Sequence, residues 1–279
     1  FQDSQEFIRL AQRTQGDYRK IIRGIDAEFG DFPLAGLTER RARGIFLDWR
    51  DHIAKRSRRH ADYSWSVLAR VLSWAHDRGI TAANPCTRGG RLYRGSRAES
   101  VWTEADEEAF LRCASAPLRL AFLLALWTGQ RQGDLLRLAW SAYDGKTIRL
   151  KQSKTGRRVS IPVGAPLKAA LDAAEKRGPL ILTNTRGRPW TSDGFHSSWA
   201  KACASTGVSG LTFHDLRGTA VLRLFLADCT EAEVATITGH SLSQIRGILD
   251  THYFHRDEAL GRSAIAKLEA ARSTKNERR

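Results

Sequence analysis

Apolar positions recur first at helical and later at strand spacing along the chain, and the change of period marks out its organisation. Tyr18, Ile21, Ile22, Ile25 and Phe29 form a helical stripe that predicts a helix capped at Thr14 and stopped by Gly30. A second helix starting at Thr38 would bury Ile45, Phe46 and Trp49. A third, from His60 to Arg78, carries Trp65, Leu68, Val71, Leu72 and Ala75, and Gly79 stands just past its end. Asn84-Pro85 closes this run, and residues 86–100 (CTRGGRLYRGSRAES) show no apolar period. Thr103-Glu-Ala-Asp106 is a capping box before a helix. Leu118 to Trp127 is nearly all apolar and too short to span a membrane, so it reads as a buried helix ending at Thr128-Gly129; Gln130 to Leu138 restarts the helix. Ile148, Leu150, Val159, Ile161 and Val163 then alternate with polar residues, predicting a hairpin that turns at Ser153-Lys154-Thr155-Gly156.

Beyond the hairpin, Ala165 to Lys176 reads as a helix, Leu180 to Thr183 as a short strand, and Thr191 as the cap of a further helix. Thr212 with Asp215, Thr230 with Glu233, and Ser241 open three more, the last carrying Ile245, Ile248 and Leu249. An amphipathic segment from Ala259 to Ala271 follows. The chain is expected to be mainly α with a small β-hairpin: a helical domain at 1–85, a basic linker at 86–100, and a mixed α+β domain at 101–279.

Charge sharpens this picture. The 279 residues carry a formal charge of +15, from 45 Lys and Arg against 30 Asp and Glu. The excess is spread over both halves: 19 basic and 11 acidic residues through Arg97, 26 and 19 after it. Two domains gripping a polyanion, most commonly nucleic acid, would produce such a balance. Arg50, Lys55, Arg56, Arg58 and Arg59 on the helical domain, with Arg91 and Arg94 in the linker, are the expected phosphate contacts. Cys86, Cys113, Cys203 and Cys229 fall at no metal or redox spacing and read as free thiols. With no run of transmembrane length and no signal pattern, a cytoplasmic protein without a membrane partner is expected. Phe1 as first residue and the lack of any Met point to a start inside a longer protein. Gly-rich phosphate loops, HExxH motifs and nucleophile elbows do not occur.

Candidate chemistry sits at helix breaks. His214 and Arg217 lie at i and i+3 near the positive end of a helix, where a proton carrier beside a planar cation suits an anionic oxygen such as a phosphate. Most such pairs are solvated surface, so the neighbours decide. Arg131 follows a Gly break against a buried helix, and Asp134, one turn on, is placed to hold its guanidinium. Lys154 at the hairpin tip can reach a ligand held by the helical body, and His240 follows the break at Gly239.

Arg131 within TGQRQGDLLRL, Lys154 within SKTG, HDLR at His214 to Arg217, Gly239-His240 and a late Tyr253 together resemble the tyrosine recombinases, the phage-integrase family. The resemblance runs from Thr103 to Leu268, and the helical region before it is similar in size and character to that family's core-binding domain. One feature departs: Tyr253 comes thirteen residues after His240, where many members place the tyrosine about nine after that histidine. The difference reads as a longer helix. Tyr253 is the only tyrosine after Tyr143.

The resemblance implies a two-domain C-shaped clamp on double-stranded DNA. It implies a site-specific recombinase, an integrase of a mobile element, that cuts and rejoins DNA through a 3′-phosphotyrosine. Tyr253 would be the nucleophile, while Arg131 and Arg217 bracket the non-bridging oxygens. His214 would take the phenolic proton, His240 donate to the phosphate, and Lys154 protonate the leaving 5′-oxygen. Neither metal nor nucleotide cofactor is implied. The working unit would be a homo-tetramer on paired sites, nucleoid-associated, with an accessory directionality factor among its partners. The alternatives are an inactive DNA-binding relative and a type IB topoisomerase-like relaxing enzyme with the same site.

Overall fold

The computed structural model describes residues 1–95 and 100–252, together with Arg262 and Ile265. It divides into two compact units, Phe1–Ser96 and Arg97–Arg279. The amphipathic segment expected at 259–271 lies, but for Arg262 and Ile265, outside the described residues. Among the described residues no helix is long and apolar enough to cross a membrane.

The first unit holds α1 (Gln5–Ile8), α2 (Gln12–Phe29), α3 (Arg40–Ala54) and α4 (Arg58–Asp77). Leu37, Ala42, Phe46, Trp65, Leu68 and Leu72 form its core, with Phe29 and Trp49 packed against them. Helix starts differ from expectation where caps compete. α2 begins at Gln12 behind Ala11, which has no capping side chain, so Thr14 is inside the helix. Thr38 ends a 3₁₀ turn and donates its hydroxyl to the Ala35 carbonyl at 2.9 Å, leaving α3 to start at Arg40. Ser57 accepts the His60 amide at 3.2 Å and starts α4 at Arg58.

Residues 86–95, assigned by composition to a linker, form a strap along this unit. Arg43 donates to the carbonyls of Pro85 (2.6 Å) and Thr87 (2.7 Å). Arg50 donates to the Gly89 carbonyl and stacks over Trp65, 4.9 Å from the ring centroid. The Asp62 carboxylate accepts the amides of Leu92 (3.0 Å) and Tyr93 (2.9 Å). Gly89 is required at its position, since a Cβ there would sit 1.9 Å from Trp65 Nε1. Arg50 is therefore 7% exposed and spends its guanidinium inside the unit, which removes it from the expected phosphate contacts. Lys55, Arg56, Arg58, Arg59, Arg91 and Arg94 are all exposed.

The second unit is built on α5 (Glu104–Cys113), α6 (Ala116–Thr128), the short α7 (Gln132–Leu135), the hairpin β1 (Thr147–Lys151) and β2 (Arg158–Pro162), α8 (Ala165–Asp172), α9 (Ser192–Thr206), α10 (Asp215–Leu226), α11 (Glu231–Thr238) and α12, described from Leu242 to His252. The strands pair antiparallel, with Ile148 opposite Ile161 and Leu150 opposite Val159, as their alternation predicts. α6 is buried nearly all round, and Trp102, Phe110, Phe122, Phe195, Trp199 and Phe213 form the aromatic centre of the core beside it. Capping boxes close at Thr103 with Asp106 and at Thr230 with Glu233.

Three expectations are corrected here. α7 covers only Gln132–Leu135, because the backbone then pairs elsewhere: Leu138 accepts the Ile181 amide and Trp140 donates to the Pro179 carbonyl, both at 2.9 Å. Leu180 to Thr183 makes isolated bridges to Ala139 and Pro189 in place of a strand. α8 ends at Asp172, four residues short of Lys176.

Candidate active site

Two helix ends bring the sequence-predicted cations together. α6 and α11 both stop at a glycine in the left-handed region, Gly129 at φ 62° and Gly239 at φ 67°. Neither position admits a side chain. A Cβ on Gly129 would lie 2.8 Å from Thr238 Cγ2, and one on Gly239 would lie 2.4 Å from Gln152 Nε2. The two breaks thus meet, and Arg131 and His240 leave the chain just beyond them.

Arg217 comes up from α10 beneath this junction. It is 5% exposed, and its Nη1 donates to the Gly129 carbonyl and, at 3.0 Å, to the Thr238 carbonyl. Its Nη2 is buried without a partner among the described residues. Burial, followed by the like charge of Arg131, lowers the proton affinity of this guanidinium, and the Asp134 carboxylate opposes the shift. A buried cation with one unused donor edge beside a second cation is a site waiting for an anion.

Arg131 is half-buried and donates from Nη1 to Gln152 Oε1 at 3.2 Å. Asp134 does not hold Arg131 as expected. Its Oδ1 instead accepts the Ser153 amide (2.9 Å) and hydroxyl (2.7 Å) and a 3.4 Å contact from Arg137, tying the hairpin turn to α7. The short α7 turns this carboxylate toward the hairpin, and its charge reaches Arg217 through space.

His240 is 6% exposed, with Nδ1 2.8 Å from the Thr238 hydroxyl. Its backbone carbonyl accepts from Arg157 at 2.6 Å. Burial first, then the charges of Arg217, Arg131 and His214, push the imidazole down to about 3, so the ring is neutral at pH 7. The Thr238 hydroxyl also lies 2.7 Å from the Val234 carbonyl, and its single hydrogen serves one partner or the other. When it serves Nδ1, the ring proton is on Nε2 and faces outward.

His214 is exposed and occupies the N-cap position of α10, which begins at Asp215. Thr212 was expected to cap this helix through its oxygen. Its amide and hydroxyl both donate to Asp215 Oδ2, each at 2.7 Å, and the Asp215 amide donates to the Thr212 carbonyl at 3.1 Å. Lys154 is exposed in the turn between β1 and β2, and its amine makes no hydrogen bond or ion pair among the described residues. Tyr253 lies outside the described residues.

Sequence reasoning missed the polar residues that join these groups. Gln152 (0% exposed), Gln130 (1%) and Thr238 (0%) form a buried network under the cations. A signal for Gln152 was available: it continues the inward register of Ile148 and Leu150, where a polar side chain must find partners inside.

Comparison with known proteins gives concordant matches. The model of the phage integrase family matches residues 96–258. The integrase of Escherichia phage lambda is 26% identical over 250 residues, covering 83% of this chain and 68% of that protein. A lambda integrase fragment, solved as a dimer bound to a core site, superposes with a TM-score of 0.76 at 26% identity, covering 90% of this chain and 93% of that one. A lambda integrase tetramer bound to a Holliday junction gives a TM-score of 0.68 at 25% identity, covering 83% of this chain and 72% of that one.

Proposed function

The chain belongs to the phage integrase family, and from that premise we propose how its own residues carry out site-specific recombination of DNA. It is a tyrosine-type recombinase, and strand exchange runs through a covalent 3′-phosphotyrosine. The observation that carries the assignment of roles is the unused, buried Nη2 of Arg217 next to Arg131 and His240. A phosphodiester anion set there would satisfy that donor and relieve the repulsion between the two guanidinium groups.

The scissile phosphate sits with non-bridging oxygens on Arg131 and Arg217, whose hydrogen bonds strengthen as charge builds in the transition state. His240 donates to the same phosphate from Nε2, with Nδ1 held by Thr238. Tyr253 Oη attacks phosphorus, the bond to the 5′-oxygen breaks, and the phenolic proton passes to His214. Lys154 gives a proton to the departing 5′-oxygen. Rejoining runs the same steps backward with the 5′-hydroxyl of the partner strand, so the bond energy is kept in the phosphotyrosine and no water is consumed. Lys55, Arg56, Arg58 and Arg59, around the break between α3 and α4, hold backbone phosphates, with Arg91 and Arg94 on the strap. The lambda tetramer on a Holliday junction supports a multimer on DNA as the working unit here, integrating or excising a mobile element.

Tyr253→Phe tests this reading. On a duplex carrying the element's own attachment site, found in the DNA flanking the gene, the variant should bind within about twofold of the wild type and form no covalent protein–DNA adduct. Adduct at the wild-type level would place the nucleophile elsewhere.

A further inference from the structure

Gln152 uses every hydrogen-bonding position it has. Its Nε2 donates to Gln130 Oε1 at 2.7 Å and to the Thr238 carbonyl at 2.9 Å. Its Oε1 accepts from Arg131 Nη1 at 3.2 Å and from the Thr155 hydroxyl at 2.9 Å. The orientation of the amide is fixed by chemistry: a guanidinium can only donate and a carbonyl can only accept. Gln130 in turn donates to the carbonyls of Thr128 (2.9 Å) and Ile237 (3.0 Å), so the pair bridges the ends of α6 and α11. The Thr238 carbonyl taken by Gln152 is the one that also holds Arg217.

One fully buried side chain therefore touches a phosphate-binding arginine on one side and the lysine-bearing turn on the other. Thr155 is the next residue after Lys154, and Ser153 before it is bound to Asp134. The turn is held on both flanks while the lysine itself stays exposed.

Building on the site assignment above, we propose that Gln152 is a positioning residue that sets Arg131 and the Lys154 turn in one register, so that phosphate binding and leaving-group protonation are aligned together. It touches no reacting atom. Its contribution is geometric, and displacement of a catalytic group by about 1 Å costs on the order of 10²-fold in rate.

The test uses the full chain at saturating DNA and two substrates, one ordinary and one with sulfur in place of the scissile 5′-bridging oxygen. A thiolate leaves without needing a proton. Lys154→Ala is the reference: its defect, roughly 10²–10⁴-fold for a lost general acid, should disappear on the sulfur substrate. Gln152→Leu keeps the volume and loses the four bonds. It should slow cleavage of the ordinary substrate by about 10- to 100-fold, and the sulfur substrate should remove only part of that, because the displacement of Arg131 remains. Thr155→Val, on an exposed side chain that does not threaten folding, should slow cleavage by about 2- to 10-fold, the worth of one hydrogen bond, with full rescue by sulfur. The proposal is overturned if Gln152→Leu cleaves within twofold of the wild type, or if the Thr155→Val defect persists undiminished on the sulfur substrate. Should Gln152→Leu not fold, Thr155→Val decides alone. A Lys154→Ala defect untouched by sulfur would instead remove the general-acid assignment, whatever Gln152 does.

Discussion

Desolvation sets Arg217 and His240 apart from most of the cationic side chains in a chain of charge +15. Arg217 and His240 are both buried against backbone carbonyls and hydroxyls, and both lose proton affinity there. For His240 the consequence has a definite sign. Its folded pKa of about 3 lies below the ordinary 6.5, so between those values the unfolded chain takes up a proton that the folded one refuses. Stability is fully present above pH 6.5 and falls as the pH drops toward 3, by up to about 1.4 kcal/mol per pH unit from this one group. Denaturant titrations of the DNA-free protein at pH 7 and pH 5 should show that loss, and His240→Gln should reduce it; an unchanged pH slope in the variant would mean the ring is accessible to protons in the fold. The exits of Arg131 and His240 just past Gly129 and Gly239 were legible in the sequence, because a Gly break marks a helix end. The partners were not. Asp134 was assigned to Arg131 on helical spacing, and only the early end of α7 turns it to Ser153. Arg50 read as one more surface cation because nothing local shows that Trp65 and Gly89 close over it.

Elements announced by reciprocal caps came out as their sequences predict, since Thr103 with Asp106 and Thr230 with Glu233 satisfy their own amides without tertiary help. Elements ended by tertiary pairing did not, as with α7. The strap is the largest case: Gly and Arg give it no period, yet three side chains of α3 and α4 hold its backbone. Arg88 is kept in the left-handed region at φ 52° while Arg43 contacts its carbonyl at 3.4 Å. Asp62 is the anchor. Burial raises its pKa, but the Leu92 and Tyr93 amides and the charges of Arg50 and Arg91 outweigh that and hold the carboxyl below its ordinary range. Removing an acid from a DNA-binding unit should tighten binding by simple Coulomb attraction. If the strap must be held for Arg91 and Arg94 to meet phosphates, Asp62→Ala should instead weaken binding by about 3- to 10-fold, the worth of one or two hydrogen bonds, and speed tryptic cutting after those arginines. Tighter binding with unchanged cutting would sink the idea.

For the whole molecule, the proposed phosphate contacts of the helical unit would set much of the dependence on salt. If the exposed Lys55, Arg56, Arg58, Arg59, Arg91 and Arg94 each take a phosphate as proposed, log K against log salt should have a slope of magnitude about 5 or more. A chain beginning at Thr103 lacks all of them and should bind more weakly with a shallower slope; equal slopes would show that the helical unit does not share the load. The strap also decides where such a chain can be divided. The composition shift at Cys86 invites a junction there, and a chimera spliced at that point would take the helices from one parent and the strap from the other. Trp65 would then lose its Gly89 lid, and Asp62 and Arg50 would meet a backbone not matched to them. A splice after Gly95 carries helices, clasp and strap together. The stretch that must travel together therefore runs through Gly95, and residues 86–95 look like spacer only until their partners are seen.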